Sequence, residues 1–181
     1  MINIKEYMKI ATFISFILIN SVNVLNGQTA TLEDVYVTSG QTGVVTTLSL
    51  SEIEDLTTSM GESGIEGIDI TLTADANVIQ FTGASWNPNS PINSTQYILS
   101  DNITEDNELV ISAYAFNSLY SNSGGDILDI LFNVVGDVCD STAISFTQFN
   151  INTDYLDHVA SVTAAVQVIP EENCGDEQAC N

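Results

Sequence analysis

The sequence predicts an all-β domain, a jelly-roll β-sandwich of about nine strands. Three observations support this fold class. Apolar residues recur at every second position in short segments, which is the alternation of a strand with one buried face. Gly, Asn, Ser and Pro residues separate these segments, and they are the residue types that turns favour. None of the segments has the long 3.6-residue period of a helix.

The first half of the domain contributes four of the segments. They are 31–38, 44–50, 65–74 and 78–81. A turn over 39–43, which contains two glycines, separates the first two segments. The polar stretch 52–64 is interpreted as a loop or a single short helical turn.

Segment 65–74 has the clearest alternation. Ile68, Ile70 and Leu72 occupy one phase, and polar residues such as Asp69 occupy the other. Because successive side chains of a strand point to opposite faces, we expect the apolar phase in the core and the polar phase in solvent or against a partner.

The second half contributes five further segments. They are 96–99, 108–116, 126–135, 143–151 and 159–169. Residues 86–91, which include Trp86 and two prolines, are predicted to form a loop, and residues 101–107 an acidic turn. Tyr114, in an alternating strand, is expected in the core because aromatic residues in strands are more often buried.

The first 27 residues are interpreted as a signal peptide. Lys5 and Lys9 precede the apolar run 10–19, which is shorter than the roughly 20 residues of a membrane-spanning helix. Cleavage near Gly27 or Ala30 would release the domain, 28–169, to the extracellular space or cell surface. After cleavage, no membrane insertion is expected.

The charge of the processed chain excludes several classes of partner. The whole chain has a net charge of −22, and both of its basic residues lie in the leader. Since Glu6 is the only acid removed with them, 23 of the 24 acidic residues remain and no Lys or Arg does. Such a surface cannot neutralise phosphates, so nucleic acids are excluded and anionic membranes are disfavoured.

The same charge predicts a salt-dependent stability. We expect the melting temperature of the processed chain to rise between about 0.01 and 1 M NaCl, because the Debye length shortens from about 30 to 3 Å and screens the carboxylates from one another. Mild acidification should at first act in the same direction. Scanning calorimetry across this range tests the expectation, and a flat melting temperature would contradict it.

The order of the segments resembles that of the cohesin family. Cohesins open with a G-x-x-G turn between two strands, as at Gly40–Gly43, and continue with a G-x-D strand block, as at 67–81. Later blocks of the family are similar to 109–116, 124–128 and 132–136 of this chain. The resemblance extends over about residues 31–169.

This resemblance implies a binding module whose partner is a dockerin, a small helical protein module loaded with Ca²⁺. It implies that the sheet face around Asp69 contacts the partner and that Asp69 accepts hydrogen bonds from it. Gly67 stands where the family usually has a polar residue, and Phe116 or Asn117 stands at a position that is acidic in the family. The candidate partner-binding set therefore comprises five residues: Asp69, Gly67, Phe116, Asn117 and Thr71.

Two other functions remain open on the sequence. Carbohydrate-binding modules share the sandwich class, and Trp86 with Tyr97, Tyr114 and Tyr120 could offer a stacking surface for sugars. In that function Trp86, in its loop, is the candidate sugar contact. The domain could instead be a spacer of a large surface protein.

No enzyme is expected. The chain has one histidine, His158, no G-x-S-x-G motif and no basic residue after the leader that could activate a nucleophile. The many carboxylates are interpreted as a solvated surface, and no cofactor is expected. Calcium could bind the partner or the acidic surface, but residues 101–108 lack the residue order of an EF-hand and are interpreted as a solvated turn.

The three cysteines are Cys139, Cys174 and Cys180. Disulfides are permitted in an exported protein, and their pairing is left open by the sequence. Residues 174–181 resemble the start of a short Cys-rich repeat, so 170–181 is predicted to begin a linker or repeat. A zinc site is disfavoured, because five residues separate the two tail cysteines and no histidine is nearby.

Overall fold

The strands were located in a computed structural model that describes residues 29–51, 61, 64–92, 95–116, 124–152 and 160–169. The described residues form eleven strands. These are β1 (Thr29–Leu32), β2 (Val35–Thr38), β3 (Val44–Ser51), β4 (Gly67–Thr73), β5 (Ile79–Trp86), β6 (Tyr97–Ile103), β7 (Leu109–Ala115), β8 (Gly125–Val134), β9 (Ser141–Ile151), β10 (Ala160–Val162) and β11 (Ala164–Ile169). The predicted leader and tail, 1–27 and 170–181, lie outside the described residues, and both assignments stay predictions.

The strands pair into two sheets. The five-stranded sheet has the order β10-β1-β3-β8-β5, and the six-stranded sheet has the order β2-β11-β9-β4-β7-β6. Alternate residues of both sheets are buried in one apolar core, which includes Leu48, Ile70, Ile111 and Phe132, all with 0% exposure. The predicted all-β sandwich is confirmed.

The nine predicted segments become eleven strands because the first and last segments each divide in two. In the five-stranded sheet β1 runs parallel to β10, and in the six-stranded sheet β2 runs parallel to β11. The N-terminal strands β1 and β2 and the C-terminal strands β10 and β11 therefore pass from one sheet to the other next to each other. Asp34 accepts a hydrogen bond from the Ala165 amide (2.7 Å), and buried Thr46 donates to the Glu33 carbonyl (2.8 Å), which fixes the crossing.

Three local predictions were wrong. Trp86 is the last residue of β5, opposite Leu128, and not part of a loop. Residues 101–103 belong to β6, so the acidic turn is shorter than predicted. Tyr114 is 51% exposed, because it follows the outward phase of β7 while Ala113 follows the buried phase.

The part of the chain that the structure describes has no helix long and apolar enough to cross a membrane. The apolar run 10–19 is outside that part.

Candidate functional site

The candidate site is one surface of the six-stranded sheet, formed by four adjacent strands, β6, β7, β4 and β9. In β4 the buried residues Ile68, Ile70 and Leu72 alternate with unburied ones, as the sequence predicted. The strand residues in the unburied phase are here called the outer face. Its members are Ile98, Ser100, Asn102, Val110, Ser112, Tyr114, Gly67, Asp69, Thr71, Thr73, Ser145, Gln148 and Asn150.

The outer face has a single charged residue, Asp69, among those members. The acids described elsewhere lie mainly in turns, such as Glu105 and Asp106, or on the five-stranded sheet, such as Asp126 and Asp129. In a chain with 24 acidic residues, this surface is therefore almost uncharged.

Asp69 lies in the centre of a polar row that crosses all four strands. Ser100 is opposite Ser112, Ser112 is opposite Asp69, and Asp69 is opposite Asn150. The Ser112 hydroxyl donates a hydrogen bond of 2.6 Å to Oδ1 of Asp69. This bond orients the carboxylate, while the side chain stays exposed and can accept further bonds through Oδ2.

An apolar row lies beside the polar one. Ile98 is opposite Tyr114, and Tyr114 is opposite Gly67. The exposed fractions are 44% for Ile98, 51% for Tyr114 and 52% for Phe116, which follows β7 directly. These large apolar side chains at one end of the outer face give it the mixed character that protein interfaces have.

Thr71 lies on the other side of the polar row. It is opposite Val110 on β7 and Gln148 on β9, and both neighbours are partly accessible. The backbone carbonyl of Thr71 accepts a hydrogen bond from the Thr147 hydroxyl (3.3 Å) where β9 has a bulge. Gly67, Asp69 and Thr71 thus lie on one surface, exposed Phe116 directly follows β7, and Asn117 lies outside the described residues.

Of the aromatic residues considered for sugar stacking, the three that the structure describes do not share a surface. Tyr97 is 1% exposed, and its hydroxyl donates a hydrogen bond to the Ile65 carbonyl. Trp86 is half-buried and packs edge-on against Tyr97, with ring centroids 6.2 Å apart. Tyr114 is on the outer face, and Tyr120 lies outside the described residues.

The acidic turn after β6 is not an open ring of oxygen ligands. Asn107 is 8% exposed, its Oδ1 accepts from the Phe81 amide (3.0 Å), and its Nδ2 donates to the Ile79 carbonyl (3.1 Å). Within the described ranges, no group of three or more His, Cys, Asp or Glu residues could hold a metal ion. Cys139 is disulfide-bonded; Cys174, Cys180 and His158 fall in the remaining parts of the chain.

Sequence reasoning missed Ser112 and Ile98. Ser112 is the polar residue between Ile111 and Ala113, so its outward phase was available from the pattern, whereas Ile98 lies in the apolar run 97–99, which leaves its phase open. Their position beside Asp69 and Gly67 depends on the register between β6, β7 and β4, which no local pattern contains.

Comparison of the fold with solved structures gives cohesin domains, at 12–18% identity over about 80% of the chain. One is the third cohesin of ScaC from Acetivibrio cellulolyticus, solved with the ScaB dockerin (TM-score 0.63, 13% identity, 80% of this chain, 100% of that chain). Another is the OlpA cohesin of Clostridium thermocellum, solved in a cohesin–dockerin complex (0.59, 18%, 80%, 100%). A third is a non-cellulosomal cohesin from the archaeon Archaeoglobus fulgidus (0.57, 13%, 81%, 94%). No family model matches the sequence, and no curated protein matches it.

Proposed function

Because the chain has a cohesin-like fold, we propose that it is a non-catalytic recognition module that binds a dockerin-like protein module through the outer face. The observation that carries this proposal is the near absence of charge from that surface. Protein interfaces are depleted of charged residues at their centre and enriched in aromatic ones. The outer face has Tyr114 at one end and Asp69 as its single carboxylate, in a chain that is otherwise strongly acidic.

Asp69 is proposed as the central acceptor for the partner. One of its oxygens is held by Ser112, so the carboxylate loses little conformational freedom when it binds. A charge-assisted hydrogen bond of this kind contributes about 1.5–3 kcal/mol when it is desolvated.

The partner has to bring the positive charge. After removal of residues 1–27 the chain has no Lys or Arg, so any Lys or Arg in an interfacial ion pair comes from the partner. Bound Ca²⁺ on the partner would add to the attraction. The rate at which the domain and the partner associate should then fall as salt is added, because long-range attraction between opposite charges is screened.

The proposed setting is extracellular. It rests on the leader predicted at 1–27 and on disulfide-bonded Cys139, since disulfides persist mainly in oxidising compartments. An assembly that processes polysaccharides at the cell surface would fit a module of this kind.

Replacing Asp69 with alanine is the direct test. We expect the dissociation constant for dockerin-like modules encoded in the same genome to rise about tenfold or more, equivalent to 1.4 kcal/mol, with little change in melting temperature. Calorimetry with and without calcium measures the affinity. The proposal fails if the wild-type chain binds none of these modules, or if Asp69→Ala leaves a confirmed complex unchanged.

Asp126→Ala is the matched control. Asp126 is also exposed and also accepts a 2.6 Å hydrogen bond from a serine hydroxyl, that of Ser49, but on the five-stranded sheet. The two variants therefore change the net charge equally and remove the same kind of Ser–Asp pair. Only the change on the outer face should weaken binding.

Sugar binding is the second candidate, and the partial accessibility of Trp86 is the observation that favours it. Its support is weaker because Tyr97 is buried and Tyr114 lies on the outer face, so the described aromatic residues form no flat strip. A polysaccharide pull-down that succeeds with the wild type and is lost with Trp86→Ala would favour this function over protein recognition.

A further inference from the structure

Gly67 lacks a side chain at a position where the backbone does not require glycine. It is absent from the glycines with positive φ, and a Cβ built on it would meet the Ala113 carbonyl oxygen at 3.5 Å and the Tyr114 Cβ at 3.9 Å. Both are ordinary van der Waals distances. The fold would therefore accept a Cβ here without a clash, and the glycine leaves that space on the outer face open.

The register of the strands shows which residues lie next to this space. Tyr114 is opposite Gly67 on β7, and Ile98 follows on β6, both substantially exposed. On the other side, the Asn152 amide donates to the Gly67 carbonyl (2.8 Å), and the Asn152 side chain accepts from the Gly67 amide (3.3 Å). The space left by the missing side chain of Gly67, next to Tyr114 with Ile98 beyond it and with Asn152 on the other side, is here called the Gly67 notch.

We propose that the Gly67 notch receives one apolar side chain of the partner, adjacent to the group that donates to Asp69. This inference rests on the proposed function and makes Gly67 a specificity-determining residue of the same surface. The wall formed by Tyr114 and Ile98 is mostly apolar, and the backbone groups of Gly67 are already paired with Asn152. A polar partner group in the notch would therefore lose water and gain few hydrogen bonds.

The spacing indicates how the partner presents the two groups. Gly67 and Asp69 are two residues apart on β4, a separation of about 6.6 Å along a strand. Residues four apart on a helix are separated by about 6 Å along its axis. A partner helix that lies along β4 would place an apolar residue in the notch and, one turn away, a Lys, Arg, Ser or Thr against Asp69. Because the processed chain has no basic residue, a cationic donor on that helix meets the only carboxylate of the outer face.

The inference is tested by variants that place a side chain in the Gly67 notch. Gly67→Val should raise the dissociation constant for a dockerin-like module from the same genome about tenfold, while the melting temperature stays the same or rises, since valine favours strands. Gly67→Asn should weaken binding similarly, because an apolar partner group would meet an amide. Gln80→Val, at an exposed position of β5 on the five-stranded sheet, is the control and should leave affinity unchanged.

The outcomes separate this inference from the proposed function. If Asp69→Ala weakens the complex but Gly67→Val leaves it unchanged, the notch is unoccupied and the inference fails while the proposed function stands. If Gly67→Asn tightens binding, the occupant is polar and the inference fails. If the wild-type chain binds no dockerin-like module, both fail. About tenfold weaker binding of Gly67→Val, with a melting temperature that is unchanged or higher and an unaffected Gln80→Val, supports the inference.

Discussion

Replacing Asn107 with alanine is expected to lower the free energy of unfolding by about 3 kcal/mol. β5 is an edge strand of the five-stranded sheet, and the Asn107 amide pairs with two of its backbone groups, the Phe81 N–H and the Ile79 carbonyl. The side chain thus makes the two hydrogen bonds that a neighbouring strand would make to this edge. Alanine would leave both backbone groups without a partner in a site where Asn107 is only 8% exposed.

The backbone of Asn107 adds to the cost, because its φ of 59° is a left-handed conformation that alanine adopts poorly. Asn107→Gly separates the two contributions, since glycine tolerates this φ and removes only the hydrogen bonds. Urea unfolding at fixed ionic strength measures the change, with Asn102→Ala, an exposed asparagine on β6, as control. A loss below about 1 kcal/mol, less than one unsatisfied buried group should cost, would show that water replaces the amide at this edge.

The fold was predicted mainly from the alternation of apolar and polar residues. The prediction was wrong at positions where the type of residue was given more weight than its place in the alternation. Tyr114 was expected in the core because aromatic residues usually are, although Leu109, Ile111 and Ala113 already occupy the buried phase of β7. Trp86 was placed in a loop because prolines follow it, yet the β5–β8 ladder continues to Trp86. For Tyr114 the period of the strand was the better guide, whereas for Trp86 a register shift after Phe81 interrupts the period and only the pairing with β8 shows that the strand continues.

The long-range contacts could not be predicted. Asn107 lies in a turn rich in carboxylates and has the local features of a solvated residue; its bonds to β5 join residues 26 and 28 positions apart. The outward phase of Asp69 was predictable, and the structure agrees with it. The Ser112 bond to Asp69 depends on the β4–β7 register, which sequence alternation leaves undetermined.

Asn152 connects the stability of the sandwich to the geometry of the outer face. Its Oδ1 accepts hydrogen bonds from the Glu66 and Gly67 amides, and its Nδ2 donates to the Gly64 carbonyl (3.0 Å). Its φ of 60° ends β9 in a left-handed conformation, which directs the side chain back to the start of β4. One asparagine therefore fixes the end of β4 that contains the Gly67 notch.

Asn152→Ala is expected to lower the free energy of unfolding by about 3 kcal/mol, about 1 kcal/mol for each of two lost hydrogen-bond groups and about 1 kcal/mol for the left-handed backbone. Like Gly67→Val, it should also weaken the partner complex, because the start of β4 is no longer held, but only Asn152→Ala should lower stability as well. Hydrogen exchange distinguishes a local from a global effect: the Glu66 and Gly67 amides should lose protection before the Ile70 and Ile111 amides of the core strands do. Asn152→Asp keeps an acceptor for both amides and should preserve most of their protection. Equal loss of protection at all four amides in Asn152→Ala would mean that Asn152 stabilises the whole sandwich and does not specifically position the notch.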